Sequence, residues 1–363
     1  AKLAVTNSVN PSYQKLIEYL KGLEKKSSTD DGVWKLNDGE NFYKYRLKKI
    51  TTTSLTGSEI FDTGIAEVAR IHTEMQAIMK TVDFDGTLQA FFTFMKEDSQ
   101  FYFPDSDQGR VDLLQGYQSI VDTMEAHLDE VFFTKPKGKM QVLAVEKWRE
   151  KSAGKAFYQT GSPDGSQKGT FFANLYKMED MPKYEMEALA YHEGIPGHHM
   201  QFTIAQELTG LPEFRKHNGY TANGEGWGLY CEFLPKEMGF YTDPYSDFGR
   251  LAMELWRACR LLVDVGIHQN KWSREKAIQY LQENTPNSEN SCTKAIERYI
   301  VMPGQATAYK VGMIHILKMR TKAKEALGQK FDIRKFHDVF LTSGPVPLDV
   351  FEQRIDKWIE NKK

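Results

Sequence analysis

The segment "YHEGIPGHHMQ", residues 191–201, contains three of the nine histidines in the chain and a glutamate beside the first of them. Histidine nitrogens and glutamate oxygens are ligands suited to zinc. A glutamate next to a histidine ligand can also take a proton from water at the metal. We therefore expect a zinc site that involves His192, Glu193 and at least one of His198 and His199.

The spacing of these histidines departs from the HExxH motif, in which histidines at i and i+4 share one helical face. His198 and His199 follow His192 at i+6 and i+7. On an unbroken helix the first would point about 120° away and the second would lie about 10.5 Å along the axis. Pro196 and two nearby glycines disfavour a continuous helix, so we predict that it bulges or restarts within "GIPG".

A catalytic zinc site needs a third protein ligand, with the fourth position left for water. The segment "TANGEGWGLYCEF" offers Glu225 near the start of a predicted helix, and Glu232 lies seven residues further on, roughly along the same face. We expect Glu225 to complete the ligand set, with one Zn2+ per chain as cofactor. If His198 and His199 both joined Glu225, the site would be closed, which would favour a structural or binding protein.

The composition limits the class of protein. The 363 residues are 40% hydrophobic, 26% charged and 12% aromatic, as is typical of a globular protein with a large core. Lys and Arg total 47 against 49 for Asp and Glu, so the net charge provides no electrostatic attraction to nucleic acid. We expect a peptide or small amide substrate and no nucleic-acid partner. No apolar run approaches the length of a membrane span, and the three cysteines are too scattered for a thiolate metal site.

The elements that must position these residues are mostly helices. Apolar residues recur at helical spacing from Pro11 to Leu23 and again over residues 57–82. Helical patterns return at residue 184 and continue almost to the C-terminus. Residues 28–53 carry two Asp-Gly turn signals and a Thr run, and we interpret them as a loop with short extended pieces. The pattern predicts a mainly α fold.

Between residues 140 and 178 the sequence is rich in β-formers. "MQVLAVEKW" and "AFYQTGSPDGSQKGTFFANLY", with a Pro-Asp-Gly turn, predict a small antiparallel sheet directly before the histidine cluster. We divide the chain into a helical N-terminal part, 1–139, and a catalytic part, 140–363, which we expect to form one continuous fold.

Four segments, "EALAYHEGIPGHHMQ", "NGEGWGLYCE", "RLLVDVGIH" and "MPGQATAYKVG", occur in this order. Together they resemble the bacterial family called domain of unknown function 885 (DUF885), which is grouped with gluzincin-type metallopeptidases. The resemblance extends from about residue 30 to near the C-terminus. Family members are usually longer at the N-terminus and many carry lipoprotein-type signals. We therefore expect this chain to be part of a longer protein of the bacterial periplasm or cell envelope.

The resemblance implies a large helical gluzincin-like fold with a small sheet beside the active-site helix. In it, His192 is the first zinc ligand, Glu193 is the general base, and one histidine of the "GHH" pair is the second ligand. "NGEGW" is similar to the "NEGF" type of segment in related gluzincins, which implies Glu225 as third ligand. Within the pair we favour His198, and the i+6 and i+7 spacing, which departs from the usual gluzincin pattern, leaves the choice between His198 and His199 open.

The resemblance also suggests where a substrate would bind. Related metallopeptidases hold an extended peptide on an edge strand before the active-site helix, and "GTFFANLY" is similar, which implies Ala173 and Asn174 as substrate-binding residues. Amide hydrolysis further requires a donor for the developing oxyanion, for which Tyr309 and His268 are candidates. His268 lies four residues after Asp264, whose carboxylate could orient its imidazole.

Three arginines, Arg257, Arg260 and Arg298, could bind a substrate carboxylate, and we include Arg298 in the predicted site. Such binding would favour carboxypeptidase-like action. We predict a zinc-dependent hydrolase that cleaves peptide bonds, with Glu193 as general base. The alternatives are a zinc amidase or deacylase that acts on a non-peptide amide, and a catalytically inactive binding protein with the same fold.

Overall fold

The computed structural model describes residues 1–217 and 219–362. Within these ranges the protein is mainly helical, with one small sheet. The elements before and within the sheet are α1 (Lys2–Ala4), α2 (Asn10–Glu24), α3 (Gly39–Thr51), α4 (Gly57–Thr81), α5 (Leu88–Glu97), α6 (Asp107–His127), β1 (Met140–Ala144), β2 (Ala156–Gln159) and β3 (Gly169–Ala173). The helices after the sheet are α7 (Met186–Glu193), α8 (His198–Glu207), α9 (Glu213–His217), α10 (Thr221–Glu237), α11 (Pro244–His268), α12 (Arg274–Asn284), α13 (Glu289–Val301), α14 (Ala308–Leu327), α15 (Ile333–Leu341) and α16 (Leu348–Glu360).

The predicted helices over residues 11–23 and 57–82 are confirmed as α2 and α4. The interpretation of residues 28–53 as a loop was wrong, because this segment contains α3. Tyr43, Leu47 and Thr51 are buried at intervals of four residues, which is the period of a helix that rests on a core. Asp38-Gly39 and the Thr run lie at the two ends of this helix, and Asp31-Gly32 precedes it.

Helix α11 lies at the centre of the molecule and carries buried residues on nearly all its faces. It packs lengthwise on α4, where Gly64 permits close approach: a Cβ there would lie 2.9 Å from Leu262 Cγ. Val68 and Ile71 of α4 belong to the same hydrophobic cluster as Leu255 of α11. Helices from before and after residue 140 therefore share a core.

A second close helix pair, α10 and α14, is built on two glycines. A Cβ at Gly226 would lie 2.5 Å from the Cα of Gly312, and a Cβ at Gly312 would lie 2.1 Å from the carbonyl oxygen of Ala222. Neither position can carry a larger residue unless the backbones separate. This contact fixes α14 against the segment of α10 that contains Glu225.

The sheet has the order β1-β3-β2 and is mixed, so the predicted fully antiparallel sheet was wrong. The β2–β3 hairpin is antiparallel, as the Pro-Asp-Gly turn between its strands indicated, but β1 runs parallel to β3 with Met140 opposite Gly169. Local sequence specifies a hairpin turn, whereas the pairing of β1 depends on a crossover that places β2 on the far side of β3. All five residues of β3 are buried, as expected for a central strand.

Among the described residues, no helix is both long enough and apolar enough to cross a membrane.

Candidate metal centre

The predicted helix interruption lies at the base of the candidate site. α7 ends at Glu193 and α8 begins at His198, and the glycines between them allow the chain to turn back over the end of α7. A Cβ at Gly197 would lie 2.0 Å from the carbonyl oxygen of His192, so only glycine fits this close approach. The break rotates His198 toward His192, and their ring centroids are 4.7 Å apart.

Two histidines and one glutamate converge where α7, α8 and α10 meet. Glu225 Oε2 lies 3.5 Å from His192 Nε2 and 3.4 Å from His198 Nε2. One potential ligand atom from each residue lies within 4.8 Å of the others. Two imidazole nitrogens and a carboxylate oxygen at such separations match the donor set of a catalytic zinc site, and a single ion could contact all three after small side-chain adjustments.

Glu232 orients the ring of His192, a role that the sequence analysis did not assign. Its Oε1 lies 2.7 Å from His192 Nδ1, and both side chains are almost fully buried. The carboxylate accepts a hydrogen bond from Nδ1–H, so Nε2 is the nitrogen that faces the ligand cluster. Arg257 approaches Glu232 to 3.5 Å. The seven-residue separation of Glu225 and Glu232 on α10 was the available sequence signal.

The protonation of the cluster follows from these contacts. Burial by itself lowers the pKa of His192, but hydrogen bonds with the Glu225 and Glu232 carboxylates outweigh it and raise that pKa to about 9. Burial by itself raises the pKa of Glu225. Hydrogen bonds with His192 and His198 outweigh burial and hold that pKa well below its usual value. Without a metal, the Glu225 carboxylate therefore lies beside a protonated His192, and an incoming cation would displace that proton.

His198 and His199 have different surroundings, since consecutive helical residues point about 100° apart. His198 stacks on Phe202 with ring centroids 5.0 Å apart, and among the described residues its buried Nδ1 has no hydrogen-bond partner. The structure does not bring His199 into the cluster: its Nδ1 lies 2.9 Å from Tyr158 Oη and 3.3 Å from Thr203 Oγ1. Burial lowers the pKa of His199 to about 4, so it is neutral there.

The cluster opens onto a cavity of about 680 Å³. Glu193 lines this cavity beside His192 and is 8% exposed, so it is next to the ligands but open to a bound molecule. Tyr309, at the start of α14, lines the same cavity. Burial raises the pKa of Tyr309, and the nearby Glu225 adds to this effect, so its hydroxyl keeps its proton.

His268, the second predicted oxyanion donor, lies elsewhere. Its Nδ1 accepts a hydrogen bond from the Val33 N–H and its Nε2 lies 3.0 Å from the Tyr299 carbonyl oxygen. It borders a different cavity, next to α3. The predicted orienting contact from Asp264 is absent among the described residues, because that carboxylate accepts hydrogen bonds from the Tyr43 hydroxyl and the Gly304 N–H. Asp264 and His268 are one helical turn apart on α11, but both side chains form hydrogen bonds with residues of other segments instead of with each other.

The strand predicted to bind substrate at a free edge, β3, is the central strand of the sheet. Ala173 ends β3, which is paired on both sides and has no free edge. The Asn174 side chain instead donates to the carbonyl oxygens of Glu150, Ala153 and Gly154, and so holds the loop that precedes β2. The strand that borders the cavity is β2. Arg298, on α13, lines the cavity as well.

Comparison with known proteins relates this chain to one protein family and to solved structures. The family model described as "Bacterial protein of unknown function (DUF885)" matches residues 1–355. The solved structure of the "putative lipoprotein from Colwellia psychrerythraea" has 36% sequence identity and a TM-score of 0.96, and the match covers 99% of this chain.

A second solved structure, the "putative lipoprotein of unknown function from Shewanella oneidensis", has 18% identity and a TM-score of 0.78 over 96% of this chain, so it shares the fold. The chain spans 62% and 64% of the lengths of these two proteins, respectively. No match was found among curated proteins.

Proposed function

The chain belongs to the DUF885 family, whose function is unknown, and from the geometry of its metal centre we propose that it is a zinc-dependent hydrolase that cleaves peptide bonds. The proposal rests on one observation: His192, His198 and Glu225 converge with an orienting carboxylate behind the first histidine and Glu193 beside the cluster. Two histidines on consecutive helical segments and a glutamate on a facing helix also support a gluzincin-like arrangement.

The residues present fit a zinc ion with an open coordination position. His192, His198 and Glu225 would hold it, and Glu232 would keep His192 in the correct tautomer. Zinc, when bound, supplies a Lewis acid that polarises water and the scissile carbonyl. His199 forms hydrogen bonds with Tyr158 and Thr203 and lies outside the cluster. This supports a site with three protein ligands, which is typical of catalytic zinc and not of a closed structural site.

Glu193 is positioned to move the protons of the reaction. It is the last residue of α7, adjacent to a ligand, and it lines the cavity that would hold the substrate. We assign to its carboxylate the role of general base, which takes a proton from the attacking water and returns it to the leaving amine. Closed metal sites have no need for such a neighbour.

Tyr309 is the candidate donor to the developing oxyanion. Its hydroxyl stays protonated because burial raises its pKa, and the close Gly226–Gly312 contact holds α14 firmly against α10. Removal of a donor of this kind costs about 10²–10³-fold in kcat in other hydrolases. A similar loss is expected on Tyr309→Phe.

Strand β2 is the candidate platform for an extended peptide. It pairs with β3 along one side and forms the edge of the sheet on the other, and Ala156, Phe157 and Tyr158 line the cavity. Main-chain hydrogen bonds to a free strand edge bind extended peptides with little regard to side chain. The names of the two solved relatives further support a location in the cell envelope for this protein.

The test combines zinc content with hydrolysis of a mixed peptide library, followed by mass spectrometry. Glu193→Gln should retain about one zinc per chain and lose about 10²–10⁴-fold in rate. The matched control is Glu187→Gln on the same helix, whose carboxylate accepts a hydrogen bond from the Tyr191 hydroxyl and should leave hydrolysis intact. Unchanged hydrolysis in Glu193→Gln, with zinc retained, would refute the proposed mechanism.

A further inference from the structure

Beside the metal centre lies a guanidinium without an acidic partner. Arg260, on α11, lines the 680 Å³ cavity and a second, adjoining cavity of about 410 Å³. Among the residues that the structure describes, no carboxylate forms an ion pair with Arg260, and its buried Nε has no hydrogen-bond partner. A largely buried charge is costly to leave unpaired, which makes this residue a candidate for binding an anion.

Aromatic side chains hold this guanidinium in place. Its central carbon lies 4.6 Å from the ring centroid of Tyr309, 5.7 Å from that of Tyr299 and 5.9 Å from that of Trp256. Cation–π contacts of this kind stabilise the charge and orient it, but they do not satisfy its N–H donors. The Tyr309 and Tyr299 hydroxyls accept hydrogen bonds from this guanidinium, and its remaining N–H donors are available to a carboxylate.

Other cations strengthen the positive potential at this point. Arg298 is exposed, lines both cavities and has no ion pair among the described residues. Arg257 also lines the first cavity, but its approach to Glu232 engages it in support of the metal centre. Lys294 lines only the second cavity, one turn before Arg298 on α13. Glu225 acts on Arg260 electrostatically but forms no ion pair with it. Arg260 and Arg298 are thus, among the described residues, the two cations of the first cavity that have no ion pair.

We propose that Arg260, assisted by Arg298, binds the free C-terminal carboxylate of the substrate, so that the enzyme is a carboxypeptidase. This inference rests on the proposed zinc hydrolase function. The Tyr309 ring, assigned to the scissile carbonyl, lies directly against Arg260. Since an extended residue spans at most about 3.6 Å, this proximity allows one or two residues between the cleaved bond and the carboxylate.

The reaction is an ordinary hydrolysis. The C–N bond of a peptide group near the C-terminus breaks, water supplies a hydroxyl group to the carbonyl carbon and a proton to the amine, and a single amino acid or dipeptide leaves. A blocked C-terminus, such as a primary amide, removes the negative charge while leaving the scissile bond unchanged. Acid and amide forms of one peptide therefore separate carboxylate recognition from catalysis.

The first experiment measures binding to metal-free protein, with a pool of N-acetylated tripeptides of varied C-terminal residue, each as free acid and as amide. The acids should bind about 10–100-fold more tightly than the amides. Arg260→Gln should abolish the preference and Arg298→Gln should reduce it. The control Lys294→Gln, which removes a charge from the same helix as Arg298, should preserve it. Circular dichroism verifies folding, and the Arg298→Gln and wild-type arms decide the question if Arg260→Gln does not fold.

The second experiment supplies zinc and follows the same pools by mass spectrometry. Release of C-terminal residues from acids but not from amides supports both the carboxylate site and the hydrolase. An acid preference in binding without hydrolysis supports the carboxylate site and refutes the hydrolase. Absence of any acid preference in binding, or hydrolysis of acids and amides at equal rates, overturns the carboxypeptidase assignment.

Discussion

Gly228 offers a sharp test of the metal centre, because it lies against the ring of His192. A Cβ at this position would lie 2.7 Å from Cε1 and 2.8 Å from Nε2 of His192. To restore an ordinary contact of 3.4 Å, the ring must move by about 0.7 Å. Metal–ligand distances tolerate deviations of about 0.2 Å, so Gly228→Ala should weaken zinc binding about 10–100-fold.

Gly224→Ala is the matched control. Gly224 lies one turn earlier on the same helix, and its added Cβ would meet only the Phe202 ring, at an ordinary distance of 3.7 Å. Both substitutions raise helix propensity by up to about 1 kcal/mol, so a difference between them reports on the close contact with His192.

The assay is a competition titration of zinc against a chromophoric chelator, with urea unfolding of each metal-free variant alongside. Gly228→Ala should lose zinc affinity while Gly224→Ala keeps it. Equal zinc affinity in Gly228→Ala and wild type would refute the reasoning, because the ring would then have moved without cost or would not be a ligand.

Further predictions concern the orienting carboxylate and two buried ionisable groups. Glu232→Gln should lower zinc affinity about 10–100-fold in the chelator titration, and an unchanged affinity would show that His192 needs no carboxylate. The buried Lys310 ammonium lies 2.5 Å from Glu254 and 2.7 Å from Glu67. Lys310→Met leaves Glu254 with Arg70 and Arg250, so the free energy of unfolding in urea should fall by about 1–3 kcal/mol, and no measurable loss would contradict a supporting role for Lys310. Burial lowers the pKa of His337 to about 3, so it is neutral when folded and binds a proton more readily when unfolded. The free energy of unfolding should therefore fall by up to about 1.4 kcal/mol for each pH unit as pH decreases from its unfolded pKa of about 6.5 toward 3, and less steeply in His337→Gln. Equal slopes in equilibrium urea unfolding between pH 6 and 4 would contradict this assignment.

The helical class of the protein, and the break between α7 and α8, could be predicted from sequence because their causes are local. Hydrophobic periodicity predicts a helix that rests on a core. Pro196 and its neighbouring glycines disfavour helical backbone, so they end α7 through local backbone preference. The α3 helix was missed because turn residues at its two ends dominated the interpretation of its interior. The segments that resemble DUF885 also led to the family that the comparison identified.

Within the site, the residue types and spacing on α7, α8 and α10 predicted that His192, a histidine of the pair and Glu225 could converge. The direction in which each side chain points depended on tertiary packing. Tyr158 and Thr203 hydrogen-bond to His199, which leaves His198 for the cluster. Thr203 lies four residues after His199 on the same helix, but Tyr158 comes from β2, and nothing near residue 199 in the sequence indicates that contact. A similar limit applies to His268, whose partners come from the N-terminal segment and from α13.

Thus the sequence by itself determined the donor atoms, the helices that carry them and the interruption that lets them meet, since all of these follow from residue type and local backbone preference. The tertiary structure decided the pairing of β1 with β3, the role of Glu232 and the unpaired state of Arg260. These features depend on contacts between segments far apart in the chain, where many partners satisfy the same local pattern and only the packed core selects among them.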